Sequence, residues 1–378
     1  MTTVPMVNLK LLLDATAGAW QANLRSLFER MHFVLGEQVS SFEGEFAAAM
    51  GARYAVGVGT GTAAIEIALR DAGIGHRQQQ ALTSALTSPF TALAVLAAGA
   101  SPRFADVNPE SLQMDPDDAG NRITRSTAAL IPVHLYGQTC EIERLRPLAR
   151  GIGAALIQDA CQAHGARRNG RPLTEFSPYV AYSFYPTKNL GCLGDGGAIA
   201  TSSASAANRL RLLRDGGRKG DQVCRLPSVN SRLDEMQACY LRAFLGKLEE
   251  WNADRARTVA LYDGVLADCE AVRPVRRESV SVHHLYVIRA KRRERLRDYL
   301  KSRGIMTAVH YPVPLHLHPA FLECGLRRGD LPHSERACRE ILSLPLWPLM
   351  PESTALHVAG EIRSFYRTFS GLAGRSQA

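Results

Sequence analysis

No apolar run in this 378-residue chain approaches the ~20 residues needed to cross a bilayer, so no membrane span is expected. The first stretch, MTTVPMVNLKLLLDATAGAW, lacks the basic, apolar and small-residue regions of a secretion signal. Cysteines stand at 140, 161, 192, 224, 239, 269, 324 and 338 and form no C-x-x-C pair. That argues against a disulfide framework or zinc ribbon and for reduced thiols in a cytoplasmic protein with no metal centre. Neither an internal repeat nor a low-complexity linker is present. Lysine and arginine outnumber the acidic residues 45 to 36, a net charge of +9, densest at Arg273–Arg277 and Arg289–Arg297. No aromatic–basic stacking platform or zinc-finger spacing accompanies that charge, which argues against nucleic acid. It reads as a solvated helix face or as attraction for an anionic substrate.

What is present fits a large globular chain. Its length exceeds the ~250–300 residues at which single cores stop growing, so two domains are expected. RYAVGV (53–58), ALIPVHL (129–135), ALIQDA (155–160), VAYSF (180–184) and GAIAT (197–201) read as strands. AAIEIALRDAG (63–73) and FTALAVLAAG (90–99) read as helices between them. Strands separated by helices predict βαβ units and a mainly parallel sheet covered on both faces. From Ser231 to Trp251 apolar residues recur at three- and four-residue spacing, predicting one long helix bridging to a second lobe. In that lobe SVHHLYVIRA (281–290) reads as a strand, and RRERLRDYLKSRG (292–304) and SERACREILSLP (334–345) as helices. The tail GLAGRSQA is expected to fray.

Residues 183–197, SFYPTKNLGCLGDGG, put Lys188 in a loop between an apolar strand and a glycine-rich return. A lysine there loses hydration, and its amine becomes neutral and nucleophilic more easily. Such amines form Schiff bases with aldehydes, of which pyridoxal 5′-phosphate (PLP) is the cofactor example. Asp159 stands just beyond the apolar stretch Ala154–Ile157, at the strand end where α/β sheets bind ligands. It can pair with a protonated pyridine nitrogen, or simply cap a helix. Gln162 stands within reach of the ring hydroxyl, and His164 lies near the ring or serves structure. GVGTGTAAIEIAL (57–69) sets Gly59 to Thr62 at a strand–helix turn suited to a phosphate. The turn lacks the Gly-Lys-Ser/Thr of a Walker loop and the third glycine of a dinucleotide fingerprint, which disfavours a nicotinamide dehydrogenase.

The series GTGTAAIEIAL, PVHLYGQ, QDACQAHGA, YSFYPTKNLGCLGDGGAI, NSRLDEMQA, HHLYVIR and HYPVPLH closely resembles the DegT-like sugar aminotransferases, fold type I PLP enzymes. The resemblance runs from about residue 35 to 350 and implies an α/β fold of two domains. These are a large, mainly parallel PLP-binding domain (1–250) and a smaller α+β C-terminal domain (251–378), with the N-terminal segment able to pack on the latter. It further implies a homodimer with shared active sites. By the same resemblance Lys188 is the Schiff-base lysine and Asp159 the partner of the pyridine nitrogen. Gly61, Thr62, Ala63 and Ser183 would hold the phosphate, joined by Asn230 from the partner subunit, and Gln162 the ring hydroxyl side. His164, Tyr185, Arg232, His310 and Tyr311 are candidates for contact with substrate. Two departures stand out. Ser88 occupies the place of the aromatic that stacks on the cofactor ring, with Phe90 two residues on as a replacement. Ala63 replaces an aspartate, leaving backbone to serve there. The implied reaction is amination of a keto sugar, most often nucleotide diphosphate-linked, with glutamate or glutamine as donor. The alternatives are a keto-cyclitol or non-nucleotide sugar substrate, or a PLP-binding regulatory protein without turnover. Lys188 and its partners weigh against the last.

Overall fold

The computed structural model describes residues 3–277 and 279–373. The tail expected to fray falls outside them from residue 374 onward. Seven strands form the central sheet: β1 (Tyr54–Val58), β2 (Gln80–Ser84), β3 (Ser101–Ala105), β4 (Thr127–Ile131), β5 (Ala155–Asp159), β8 (Tyr179–Ser183) and β9 (Gly197–Thr201). The two-residue strands β6 (Arg167–Arg168) and β7 (Arg171–Pro172) make a separate hairpin. The order across the sheet is β1-β9-β8-β5-β4-β2-β3. Pairings from β8 to β3 are parallel, and β9 alone runs antiparallel to both its neighbours. The sheet is therefore mainly parallel, as the alternation of strands and helices predicts. The reversal of β9 follows from the short Lys188 return, since a parallel strand would need a crossover helix.

Strands β2 and β3 escape the sequence pattern. QALTS and SPRFA are short, carry proline or polar residues, and lack the apolar run that marks the other buried strands. The polar Thr83 in β2 is satisfied from the neighbouring strand, its Oγ1 donating to the Ile131 carbonyl of β4 at 2.8 Å.

Side chains alternate between two buried layers. Val180, Tyr182 and Phe184 face Phe42, Phe46, Leu241 and Trp251 on one side. Tyr179 and Ala181 face Ile65, Ile67, Leu69 and Ile199 on the other. The long helix expected from Ser231 is instead two, Glu235–Leu245 and Leu248–Leu266, broken at Gly246 and Lys247. Ser231 lies outside both, and its hydroxyl accepts a hydrogen bond from Gly59 N at 3.0 Å. Glu235 caps a different helix: its carboxylate accepts from the N–H groups of Gly36, Gln38 and Val39 at 2.7, 2.8 and 3.0 Å, at the start of Glu37–Ala49. That satisfies orphan donors and places negative charge at the positive helix end.

A second sheet holds β10 (Val272–Pro274), β11 (Tyr286–Ala290) and β12 (Ile341–Leu344), all antiparallel. SERACREILSLP thus divides into the helix Pro332–Glu340 and strand β12, where the β-branched and leucine residues of ILSL are buried throughout. Helices Leu248–Leu266, Arg293–Ser302 and Glu352–Ala373 pack on this sheet. The N-terminal segment joins them: Val4 N donates to Gly304 O and Met306 N to Val4 O, each at 2.9 Å. No helix among the described residues is long and apolar enough to cross a membrane.

Candidate active site

The carboxyl ends of β1, β5 and β8 and the start of β9 meet at one edge. Val58 pairs with Gly197, and Gly197 with Ser183. Two glycines let the backbone close there. A Cβ on Gly61 would stand 2.6 Å from Ser183 Cβ and 2.9 Å from Cys161 Sγ. One on Gly197 would stand 2.4 Å from the Thr60 carbonyl. The helix Gly61–Asp71 is thereby driven, amino end first, against Ser183 and the turn after Asp159.

Thr60 is the N-cap of that helix, and its hydroxyl accepts the Ala63 N–H at 2.9 Å. Ala63 is accordingly engaged within the cap. Gly61 and Thr62 keep N–H groups that no hydrogen bond among the described residues uses, at the positive end of the helix. They are donors for an anionic group.

Asp159 is 4% exposed and forms no ion pair among the described residues. Its Oδ2 accepts from Thr91 Oγ1 at 2.7 Å and its Oδ1 from Cys161 N at 3.1 Å. A buried carboxylate held by two neutral donors has room for a cationic N–H partner, which would offset its desolvation. Thr91 is a residue the sequence reading missed. Its only signal is a polar side chain in the otherwise apolar helix Pro89–Ala98.

Lys188 sits in a loop fixed from several sides. Its N–H bonds Tyr185 O at 2.9 Å, and Cys192 N returns to Phe184 O at 2.8 Å. A Cβ on Gly191 would come within 2.4 Å of Pro186 O, so the turn requires glycine. The next residue, Asn189, is buried; its amide donates to Asn252 Oδ1 and Val282 O at 2.8 and 2.7 Å, and its oxygen meets His284 Nδ1 at 3.0 Å. Burial holds the Lys188 amine below the ordinary lysine range, opposed in part by the Asp159 charge. Burial also raises the Cys161 thiol far above its usual range, so it is neutral here.

Gln162 is locked across the site. Its oxygen accepts Tyr136 N at 2.8 Å, and its amide donates to the Tyr311 hydroxyl at 3.1 Å. Tyr311 also bonds Ser88, and burial, then the Asp159 charge, pushes its phenol up to about 12. Tyr311 therefore reaches the edge at the position whose aromatic is missing. Phe90 lies one step into the helix and is 59% exposed. His310 shares a hydrogen bond with Ser343 Oγ at 2.9 Å, its carbonyl accepts from Tyr136 Oη, and burial then Lys188 lower it to about 4.

The remaining candidates spread outward. His164 is fully buried against Tyr182 and Phe184, with neither ring nitrogen hydrogen-bonded, and its imidazole is lowered to about 3, first by burial and then by Lys188. It belongs to the aromatic layer beneath the site. Tyr185 is exposed. Asn230 is exposed and bridges Asp215, which Arg232 Nη1 meets at 2.8 Å. Neither Asn230 nor Arg232 contacts Lys188 or Asp159 within this chain.

A desolvated lysine, a buried carboxylate without an ion-pair partner and a free helix amino end, on one edge of an α/β sheet, suit capture of a carbonyl compound through an amine. Residues 16–363 match the DegT/DnrJ/EryC1/StrS aminotransferase family, and the chain belongs to it. It is 40% identical over 364 residues, 96% of each chain, to a dTDP-3-amino-3,4,6-trideoxy-alpha-D-glucose transaminase of Streptomyces venezuelae. It is 38% identical over 371 residues, 97% of this chain and all of the relative, to a pleiotropic regulatory protein of Geobacillus stearothermophilus. The structure of S. venezuelae DesV with a ketimine intermediate matches with a TM-score of 0.93 at 38% identity, covering 97% of this chain and 99% of that one. Bacillus subtilis ntda with bound pyridoxamine phosphate matches with a TM-score of 0.87 at 26% identity, covering 96% and 85%. The protein is an aminotransferase of the sugar aminotransferase type.

Proposed function

We propose that the protein aminates a keto sugar carried on a nucleotide diphosphate, with glutamate or glutamine as amino donor and PLP as cofactor. The observation that carries the reading is that the desolvated Lys188, in the loop after β8, and the buried Asp159, at the end of β5, stand on one edge of the sheet. PLP supplies an aldehyde that condenses with amines and a ring that accepts electrons. Lys188 would hold the aldehyde. Once freed, its amine would move a proton between the donor α-carbon and the cofactor C4′ carbon. Asp159 would accept the ring N–H and keep it protonated, with Thr91 fixing the carboxylate. Gly61 and Thr62 would donate to the phosphate, with Ser183 beside them. Gln162 and Tyr311 would border the ring.

The family's shared dimeric site is part of this proposal. Asn230 is exposed on its own chain, where a partner's phosphate could meet it. An apolar row of Phe28, Met31, Phe33 and Val34 is also exposed, and Val34 bridges Asp234 near the Lys188 loop. Such a contiguous patch suits an interface. A division near residue 250, with the N-terminal segment on the small domain, is supported by the Val4 contacts and the separate second sheet. The cysteines among the described residues are free thiols, which suits the cytoplasm. The regulatory name of one relative supports a second reading, binding of PLP without turnover.

Incubation with keto nucleotide sugars or keto-cyclitols, plus glutamate or glutamine, followed by mass spectrometry, tests both readings. An amino nucleotide sugar is the expected product. Amination of cyclitols alone would replace the substrate class, and no amination of any ketone would favour the regulatory reading.

A further inference from the structure

The basic stretches singled out in the sequence converge in a place the reaction does not use. A cavity of about 950 Å³ opens between β10, β11, the start of the helix Arg293–Ser302 and the helix Pro332–Glu340. Its lining holds eight basic against three acidic side chains and no aromatic residue. None of the proposed cofactor or substrate residues takes part in it.

Several observations converge on this cavity. The helix Arg293–Ser302 has Arg292 as N-cap in the left-handed region (φ 55°), without a side-chain cap bond. The N–H groups of Arg293, Glu294 and Arg295 have no hydrogen-bonded partner among the described residues, so a positive helix end faces the lining arginines. Arg293 is only 10% exposed; its Nη1 donates to Ile341 O at 2.8 Å. Its buried Nε lies 2.7 Å from Glu294 Oε1 but makes no hydrogen bond there. Arg289 at 2.8 Å and Arg336 at 2.7 Å share the single carboxylate of Glu340, so together they keep one net positive charge. Lys291, Arg292, Arg295 and Arg339 have no carboxylate partner among the described residues. Four unpaired cations in one concave lining repel each other, and a bound anion would relieve that repulsion.

We propose that this cavity is a second, non-catalytic binding site for a multiply charged phosphate group of the pyrophosphate kind. Arginine forks and an uncapped helix end match phosphate oxygens. The absence of an aromatic or large aliphatic lining leaves a nucleobase nothing to stack on, so the phosphates alone are recognised. The volume lies within the ~300–1,000 Å³ of small-molecule sites.

The test uses the PLP-loaded enzyme and calorimetric titration with inorganic pyrophosphate and, separately, ADP. One pyrophosphate site per chain should weaken at least tenfold in Arg295→Glu/Arg339→Glu, both exposed residues, while Arg295→Lys/Arg339→Lys retains it. Aminotransferase turnover and the circular dichroism spectrum should not change in either variant. Arg146→Glu/Arg150→Glu, an equal charge change on the distant helix Ile142–Gly151, should leave binding intact. ADP should bind the same site within a few-fold of pyrophosphate. No binding to wild type, equal loss in the distant control, or persistence in the glutamate variant overturns the proposal. A nucleotide preference above tenfold that disappears with Arg295→Glu/Arg339→Glu overturns recognition by phosphate alone.

Discussion

Asp159→Asn changes one oxygen to an amide nitrogen and removes a charge that two neutral donors position. In the wild type Oδ2 accepts from Thr91 and Oδ1 from the Cys161 N–H, and the carboxylate forms no ion pair among the described residues. In the proposed reading the cofactor's ring N–H would be the cation that this carboxylate accepts. Asparagine cannot hold that proton, and its amide must either face the Cys161 N–H donor to donor or turn toward Thr91. Breaking a buried charged pair costs about 3–5 kcal/mol. Taken wholly from the transition state, that is roughly a hundred- to several-thousand-fold in rate. Single-turnover measurement with a donor amino acid reads the half-reaction alone, before any sugar is needed. Absorbance across pH should show the ring nitrogen losing its proton at lower pH in the variant. Melting should stay near wild type, because the substitution keeps the shape. Turnover within tenfold of wild type with an unshifted spectrum would refute the reasoning and leave Asp159 as a capping residue.

Gly61→Ala places a Cβ 2.6 Å from Ser183 Cβ, so PLP retention on dialysis should fall roughly five- to 150-fold, consistent with about 1–3 kcal/mol of overpacking; unchanged retention would contradict the close approach. Glu235→Gln leaves one acceptor oxygen for three helix donors, and urea denaturation should show a loss of about 1–3 kcal/mol, with no loss sinking the cap. Acid stability follows from the buried histidines: His134, His283 and His310 are lowered to about 4 and His164 to about 3, in each case first by burial. Their folded values lie below the unfolded value, so the stability they contribute is present above about pH 6.5 and is lost as pH falls toward 4. Each adds up to about 1.4 kcal/mol per pH unit to that loss, His164→Phe should flatten it, and a urea midpoint equal at pH 7 and pH 5 would refute it. Subunit exchange between Lys188→Ala and Asn230→Ala should restore up to half the sites of each mixed dimer, because one composite site collects both lesions. Verified exchange without recovery, from a weak Asn230→Ala parent, would assign Asn230 to its own subunit.

Residues that act through their immediate neighbours were legible in the sequence. Lys188 in its glycine-rich return, Asp159 at a strand end and Gly61 at a strand–helix turn carry their signal within a few positions. Contacts that fold brings from afar were not. Thr91 meets Asp159 across 68 residues, Tyr311 meets Gln162 across 149, and Glu235 caps a helix 199 residues earlier at Gly36. The same limit explains the secondary-structure differences. ILSL after SERACRE continues a helical spacing, yet its pairing with β11 makes it a strand, a tertiary choice that local propensity does not encode. Ala63 shows the converse: its N–H looked available at the turn, and the Thr60 hydroxyl already holds it.

The chain contains six lysines, and burial pushes the amine of Lys188 below the ordinary range. Borohydride reduction of the PLP-loaded protein, followed by peptide mapping, therefore tests the central claim most directly. The account predicts loss of the visible absorbance and one reduced-cofactor label, on the peptide that contains Lys188. A label on any of the other five lysines, or none after reduction of the loaded protein, would contradict it.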